Sequence, residues 1–208
     1  SVAFHMDTEP DSSASASPAA DESASSLMNA FDTVSPAMVA KYSGAELVSV
    51  DFHGESPVVT FRVPASEVEE YALLFSVLPY SRLIDEEMCK YAARLYNELR
   101  ARHKNRVPVG QVAEDSLIVL FQVEDSHRVE SHDAKPSEEQ LQKEQLEAMS
   151  TQFFTEFDAV FGTSSRPSML PLAFAVVSVP KGYAYLYYQL LQLSPYVRSV
   201  RFNTGWTL

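Results

Sequence analysis

The residue types that could carry chemistry are few and scattered. Cys89 is the single thiol in 208 residues, and a thiolate at a depressed pKa would be a nucleophile or a metal ligand. It falls inside a helical repeat of apolar residues with no local pattern to activate it, so a small, buried or half-buried side chain is expected. His127 and His132 stand among Glu124, Asp125, Glu130 and Asp133. Imidazole and carboxylate together suit a metal, but the His-x3-His spacing and paired cysteines of a zinc site are missing. The segment reads as a solvated acidic loop, and no metal is assigned. His53 and His103 stand alone. Phosphate loop, dinucleotide fingerprint, nucleophile elbow and kinase signature are all absent, and six glycines in the whole chain leave little material for a backbone cradle. No catalytic residue and no cofactor are assigned, and the balance lies against an enzyme.

Binding chemistry is better represented. Tyr80 with Arg82 and Tyr196 with Arg198 repeat a Tyr-x-Arg pattern. A guanidinium can stack on a ring or hold a carboxylate or phosphate in a planar fork, and two copies facing one groove would make an anion site. The plainer alternative packs each Tyr under its helix and pairs each Arg with a carboxylate of the chain. Between Lys90 and Arg106 six basic residues face one acid, Glu98, in a chain of formal charge -12. Arg100, Arg102, Lys104 and Arg106, with His103, exceed what a helix C-terminus needs to complement its dipole, and an acidic partner or an RNA backbone would suit them. Four tyrosines, Tyr183, Tyr185, Tyr187 and Tyr188, cannot all enter one core from one helix. Two are expected inside, and Tyr185 and Tyr188 are candidates for an interface.

The elements that must position these groups are written twice. Val63-Pro64 and Pro79-Tyr80-Ser81-Arg82 recur as Val179-Pro180 and Pro195-Tyr196-Val197-Arg198, with fourteen residues between the two prolines in each copy. Over Val63–Ile84 and Val179–Val200 the copies share seven of twenty-two residues, Tyr71/Tyr187 and Leu74/Leu190 among them. The spacing predicts a duplicated strand-helix unit, 57–84 and 172–200. β-branched and aromatic runs lead into each Val-Pro, which drives the chain from extended geometry into a first helical turn. Ser66 and Glu69 fit a capping box. After their Arg the copies are expected to diverge, one into a helix and the other into a strand.

Elsewhere the apolar period predicts a helix restarted at Ser35 and stopped at Gly44, a hairpin from Glu46–His53 to Pro57–Val63, and a helix over 85–104. It also predicts a buried strand over 116–123 and a long helix over 137–161. Thr163–Pro171 reads as a loop. The expected core is Val59, Phe61, Val63, Leu74, Phe75, Leu95, Ile118, Leu120, Phe153, Phe157, Phe174, Val176, Leu190 and Val200. The expected fold is α+β, or irregular α/β: one mixed sheet of about five strands covered by helices. Residues 1–26 are read as a tag remnant followed by a disordered acidic Ser/Ala-rich tail, and 27–208 as a single domain.

The acidic charge disfavours nucleic acid and anionic membranes, and no apolar run reaches bilayer length. A lone cysteine points to the cytoplasm or nucleus. The function expected is a non-enzymatic protein-protein interaction module, an adaptor or structural subunit of a larger intracellular complex. The alternative is an RNA- or anionic-ligand-binding domain that uses Arg82, Arg198 and the basic helix end at 100–106. Nothing in the sequence fixes an oligomeric state.

Overall fold

The computed structural model describes residues 2–6, 34–53, 56–106, 112–122, 136–168 and 174–204. The proposed disorder of 7–26 and the His127/His132 segment lie outside them. The fold is mixed α+β, with two antiparallel sheets in place of the one expected. The first contains β1 (Val2–Met6), β2 (Glu46–His53), β3 (Ser56–Arg62) and β4 (Ser81–Leu83) in the order β2-β3-β1-β4. The second contains β5 (Ser116–Phe121), β6 (Ser164–Ser168), β7 (Phe174–Ser178) and β8 (Val197–Phe202) in the order β6-β7-β5-β8. Helices α1 (Pro36–Ser43) and α2 (Val68–Val77) belong to the first half, and α4 (Pro136–Phe161) and α5 (Ala184–Leu190) to the second. Between the halves runs α3 (Glu86–Arg106).

Each half thus runs strand, helix, strand, strand, helix, strand, and each sheet takes its own second, third, first and fourth strands in that spatial order, the split βαβ arrangement. The 116-residue offset between Val63 and Val179 also sets β3 on β7. Phe4 of β1 stands between Val59 and Leu83, and Val119 of β5 between Ala175 and Val200. Val2–Met6 is therefore an interior strand, not a remnant outside the fold. Both Pro-Tyr turns run into a strand, but β4 ends at Leu83 and α3 opens at Glu86, whereas β8 runs on to Phe202, so the copies diverge after the Arg as expected. Arg198 is the extra residue of a bulge, since Ser199 pairs with Leu120 and Val197 with Phe121.

Local chemistry explains most boundaries. Ser35 Oγ accepts from the Met38 amide at 3.2 Å, Pro36 opens α1, and Gly44 closes it at φ 79° with its N–H on the Ala40 carbonyl. Asp85 Oδ1 accepts from the Met88 amide at 3.0 Å and starts α3. The capping box at Ser66 does not form: Ala65–Glu67 is one tight turn without a side-chain cap, and α2 begins only at Val68. Ser164–Ser168, expected in a loop, is the edge strand β6. Asp158 organises its approach by accepting from Thr163 Oγ1 and Ser165 Oγ, both at 2.7 Å, and from the Ser165 amide at 2.6 Å. Burial raises the Asp158 pKa despite those three donors.

One continuous core joins the halves. In β5 and β7 it takes Leu117, Val119, Phe121, Ala175 and Val177, while the expected Ile118, Leu120, Phe174 and Val176 are only half-buried on the opposite face. Both faces of these strands are apolar, so alternation carries no sign, and a one-residue choice reverses every side chain. Val63 and Phe153 are also half-buried, packed at the margin of that core.

The halves meet through matched contacts. Tyr71 donates to the Ser43 carbonyl at 2.8 Å and Tyr187 to the Phe161 carbonyl at 3.0 Å, each at the last residue of a helix before a glycine in the left-handed region, Gly44 or Gly162. Gly44 lies against Pro195, and Gly162 against Pro79. Tyr80 donates across the boundary to the Val160 carbonyl at 2.6 Å, while the Tyr196 ring lies 5.3 Å from that of Tyr42. Val160 and Tyr42 each stand two residues before their glycine. Burial pushes the hydroxyls of Tyr71 and Tyr187 up to about 12, and that of Tyr80 higher still, so all three remain protonated donors.

Candidate binding surfaces

β2 is an outer strand of the first sheet. Its sequence, Glu-Leu-Val-Ser-Val-Asp-Phe-His, is rich in β-branched and aromatic residues, as a strand requires. Val50 pairs with the buried Val59 and Phe52 with the buried Pro57, so both belong to the core-facing side of the sheet. Yet Val50 is 36% and Phe52 76% exposed, and Val48, the extra residue of a bulge between the Leu47–Phe61 and Ser49–Thr60 pairs, is 46% exposed. Length accounts for this: the eight residues of α1 span about 12 Å, and the eight of β2 about 26 Å. The helix cannot roof the strand.

Among the described residues, none hydrogen-bonds to the free edge of β2. The strand contains neither proline nor lysine, two usual guards of an open edge, and carries a third, a bulge, only at Val48. The matching edge of the second sheet, β6, is Ser-Ser-Arg-Pro-Ser, with Pro167 removing a donor and Arg166 exposed. β2 escaped the sequence reading because nothing local distinguishes an outer strand from an inner one. The alternation of Val48, Val50 and Phe52 with Ser49 and Asp51 was the signal available.

A second feature is a cleft of about 710 Å³ between α2, β4, α3 and the start of α5. Arg82 lines it together with Cys89, Tyr96 and Tyr183. Arg82 is exposed, and no carboxylate of the described residues pairs with it. Cys89 is exposed, contrary to expectation, with Sγ 4.0 Å from the Leu83 carbonyl oxygen. Arg198 lies on β8 and does not line this cleft, so the two Tyr-x-Arg pairs do not share it. Tyr80 is buried and Tyr196 half-buried, each at the boundary between halves.

The basic end of α3 lies along the second half. His103 stacks on Tyr185 at 5.3 Å and meets Phe202 at 5.8 Å, and Tyr188 stacks on Phe202 at 4.6 Å. Tyr96 closes the row against Tyr185 at 6.3 Å. Burial, and then hydrogen bonding with Tyr96, raise the Tyr185 pKa, while the Arg100 charge opposes that rise. Tyr185 and Tyr187 are inside, Tyr188 is half-buried and Tyr183 is 39% exposed. Arg102 pairs with Glu98 at 3.4 Å on the same helix, Arg100 and Lys104 face solvent, and the Arg106 side chain lies outside the described residues.

Among the described residues there is no helix long and apolar enough to cross a membrane, and no group of three or more His, Cys, Asp or Glu able to hold a metal ion. No family model, curated protein or solved structure matches the chain.

Proposed function

We propose that this chain is a non-enzymatic protein-protein interaction module, a structural subunit or adaptor of a larger intracellular assembly, that receives a polypeptide segment along β2. The observation that carries this reading is the contrast between the two outer strands: β6 is guarded by Pro167 and Arg166, whereas the edge of β2 has no partner among the described residues and its Val50 and Phe52 are exposed on the core-facing side beyond the bulge at Val48. A partner strand would satisfy the edge by β-augmentation and cover them. The uncovered fractions of Val48, Val50 and Phe52 amount to about one and a half side chains, so their burial contributes about 2–5 kcal/mol before backbone hydrogen bonds. The shared element order, the paired Tyr-to-helix-end bonds and the reciprocal Gly-Pro contacts support reading the two halves as an internal duplication, in which one half has kept an open edge.

A second reading is favoured by Arg82, which faces the cleft without a described carboxylate partner. An anionic ligand, or an RNA backbone reaching the basic end of α3, would supply the missing charge. Salt separates the two: phosphate contacts weaken steeply as salt rises, whereas strand addition does not. The test is recovery of partners from source cells with the unmodified chain and with the double variant Val50→Lys/Phe52→Lys. Loss of a defined set of proteins from a folded double variant is expected. The same set recovered by both chains would reject the proposal.

A further inference from the structure

We infer that the outer face of the second sheet binds an acidic amphipathic helix of another protein, its apolar stripe laid along β5 and β7 and its carboxylates on Arg166 and Arg201. The site is independent of β2. Strand register sets Arg166, Val176, Ile118 and Arg201 in one row across all four strands, on the side away from the core. Leu120 stands two residues along β5 from Ile118 and extends the apolar centre. Val176, Ile118 and Leu120 belong neither to the core nor to the side chains packed against it. Among the described residues, the helices of this half therefore leave the apolar centre without a covering layer.

The two halves differ on this face. In the first sheet it is polar and satisfied within itself, with Arg62 donating to Glu46 at 2.8 Å and Ser49 to Asp51 at 2.9 Å. In the second sheet Arg166 and Arg201 are exposed, and no carboxylate of the described residues pairs with either. The other outward positions of the four strands are apolar or serine. In a chain of formal charge -12, a face without acids and with a cation on each flank selects an acidic partner.

The backbone of β5 is paired on both sides, by β7 and β8, and that of β7 by β5 and β6. The face thus offers side chains alone. An extended segment laid on it would leave its own peptide groups without partners, whereas a helix satisfies them internally. Width agrees: Arg166 and Arg201 stand three strand spacings apart, about 14 Å, and a helix with its side chains is about 10–12 Å across. A helix seated on the two central strands has one arginine at each flank. Base stacking needs rings, and the outward positions hold one, Phe174. A second copy of the same face would bring arginine against arginine.

The test measures binding of the full chain to two panels of labelled helical peptides of about five turns. Both panels carry the same Leu, Ile and Phe stripes at i, i+3, i+4 and i+7, flanked by Glu in one and by Lys in the other. The best acidic peptide should bind about 10-fold or more tightly than its Lys counterpart, and Arg166→Glu/Arg201→Glu should reverse that order. Ile118→Thr, which keeps a β-branched residue in the strand, should weaken the acidic peptides, and Val50→Lys/Phe52→Lys should leave them unchanged. No peptide bound, equal binding of the two panels, or an order that survives the charge reversal would overturn the inference. Unchanged affinity in Ile118→Thr would remove the apolar centre from the site. Binding lost in Val50→Lys/Phe52→Lys would place the peptide on β2 and overturn this site alone. A single-stranded RNA oligonucleotide bound in place of every peptide, and released by Arg166→Glu/Arg201→Glu, would overturn the helix in favour of nucleic acid.

Discussion

Replacing Gly44 by alanine tests the boundary between the halves without touching a side chain. Gly44 and Gly162 both end a helix in the left-handed region, at φ 79° and 63°, where a Cβ costs about 1–2 kcal/mol. Their surroundings differ. A Cβ at Gly44 would stand 3.2 Å from the Leu193 carbonyl oxygen, 3.3 Å from Pro195 Cδ and 3.3 Å from the Tyr71 hydroxyl. At Gly162 the nearest atom is Pro79 Cδ at 3.5 Å, ordinary contact. Two of the Gly44 neighbours are backbone or ring atoms of the other half and cannot swing away, so Gly44→Ala adds an overpacking cost of about 1–3 kcal/mol that Gly162→Ala lacks. Urea melts of both variants should place Gly44→Ala lower, with Gly162→Ala down by the backbone cost alone. Equal losses would show that the contacts between Gly44 and the Pro-Tyr turn of the second half are not those described.

The two tyrosines that tie helix ends should behave alike. Tyr71→Phe and Tyr187→Phe each leave a buried carbonyl without its donor, for a loss of about 1–3 kcal/mol in thermal or urea melts; a loss near zero in either would remove that bond from the description. A pH test is available at Glu156. Its Oε2 accepts from the Tyr42 hydroxyl at 2.6 Å and from Lys41 Nζ at 3.0 Å, and those bonds, with that from Gln152, hold its pKa at about 2, below the ordinary 4.5. A depressed carboxylate stabilises the fold fully above its unfolded pKa and loses that contribution as pH falls through the folded one. Glu156→Gln should therefore be less stable than the unmodified chain at neutral pH, and the gap should close between about pH 5 and 2. A gap that is constant with pH would contradict this.

What the sequence revealed was local. Ser35-Pro36 and Gly44 announced both ends of α1, and the charge order of α3 its direction. Val-Pro and Pro-Tyr marked where two strands hand over to helices and back. Pairing was not legible, because it depends on residues far apart. Val2–Met6 looks like a scar until it is placed between β3 and β4. Leu117 and Ile118 are equivalent to any pattern that sees only apolar residues, and their fates are opposite. The same blindness hid the edge, since Val48, Val50 and Phe52 read as ordinary strand residues until the order of the sheet leaves them on the outside. Arg82 and Arg198 are alike in sequence and unlike in place, one in a cleft and the other in a bulge.

The most direct measurement is site-specific photo-crosslinking of the full chain in its source cells, with a photoreactive residue at position 52 on β2 and, separately, at position 166 on β6. A discrete adduct from position 52, absent from position 166, is expected, its mass identifying either a second copy or another protein. No adduct from position 52, or the same adducts from both positions, would contradict the assignment of β2 as the docking edge.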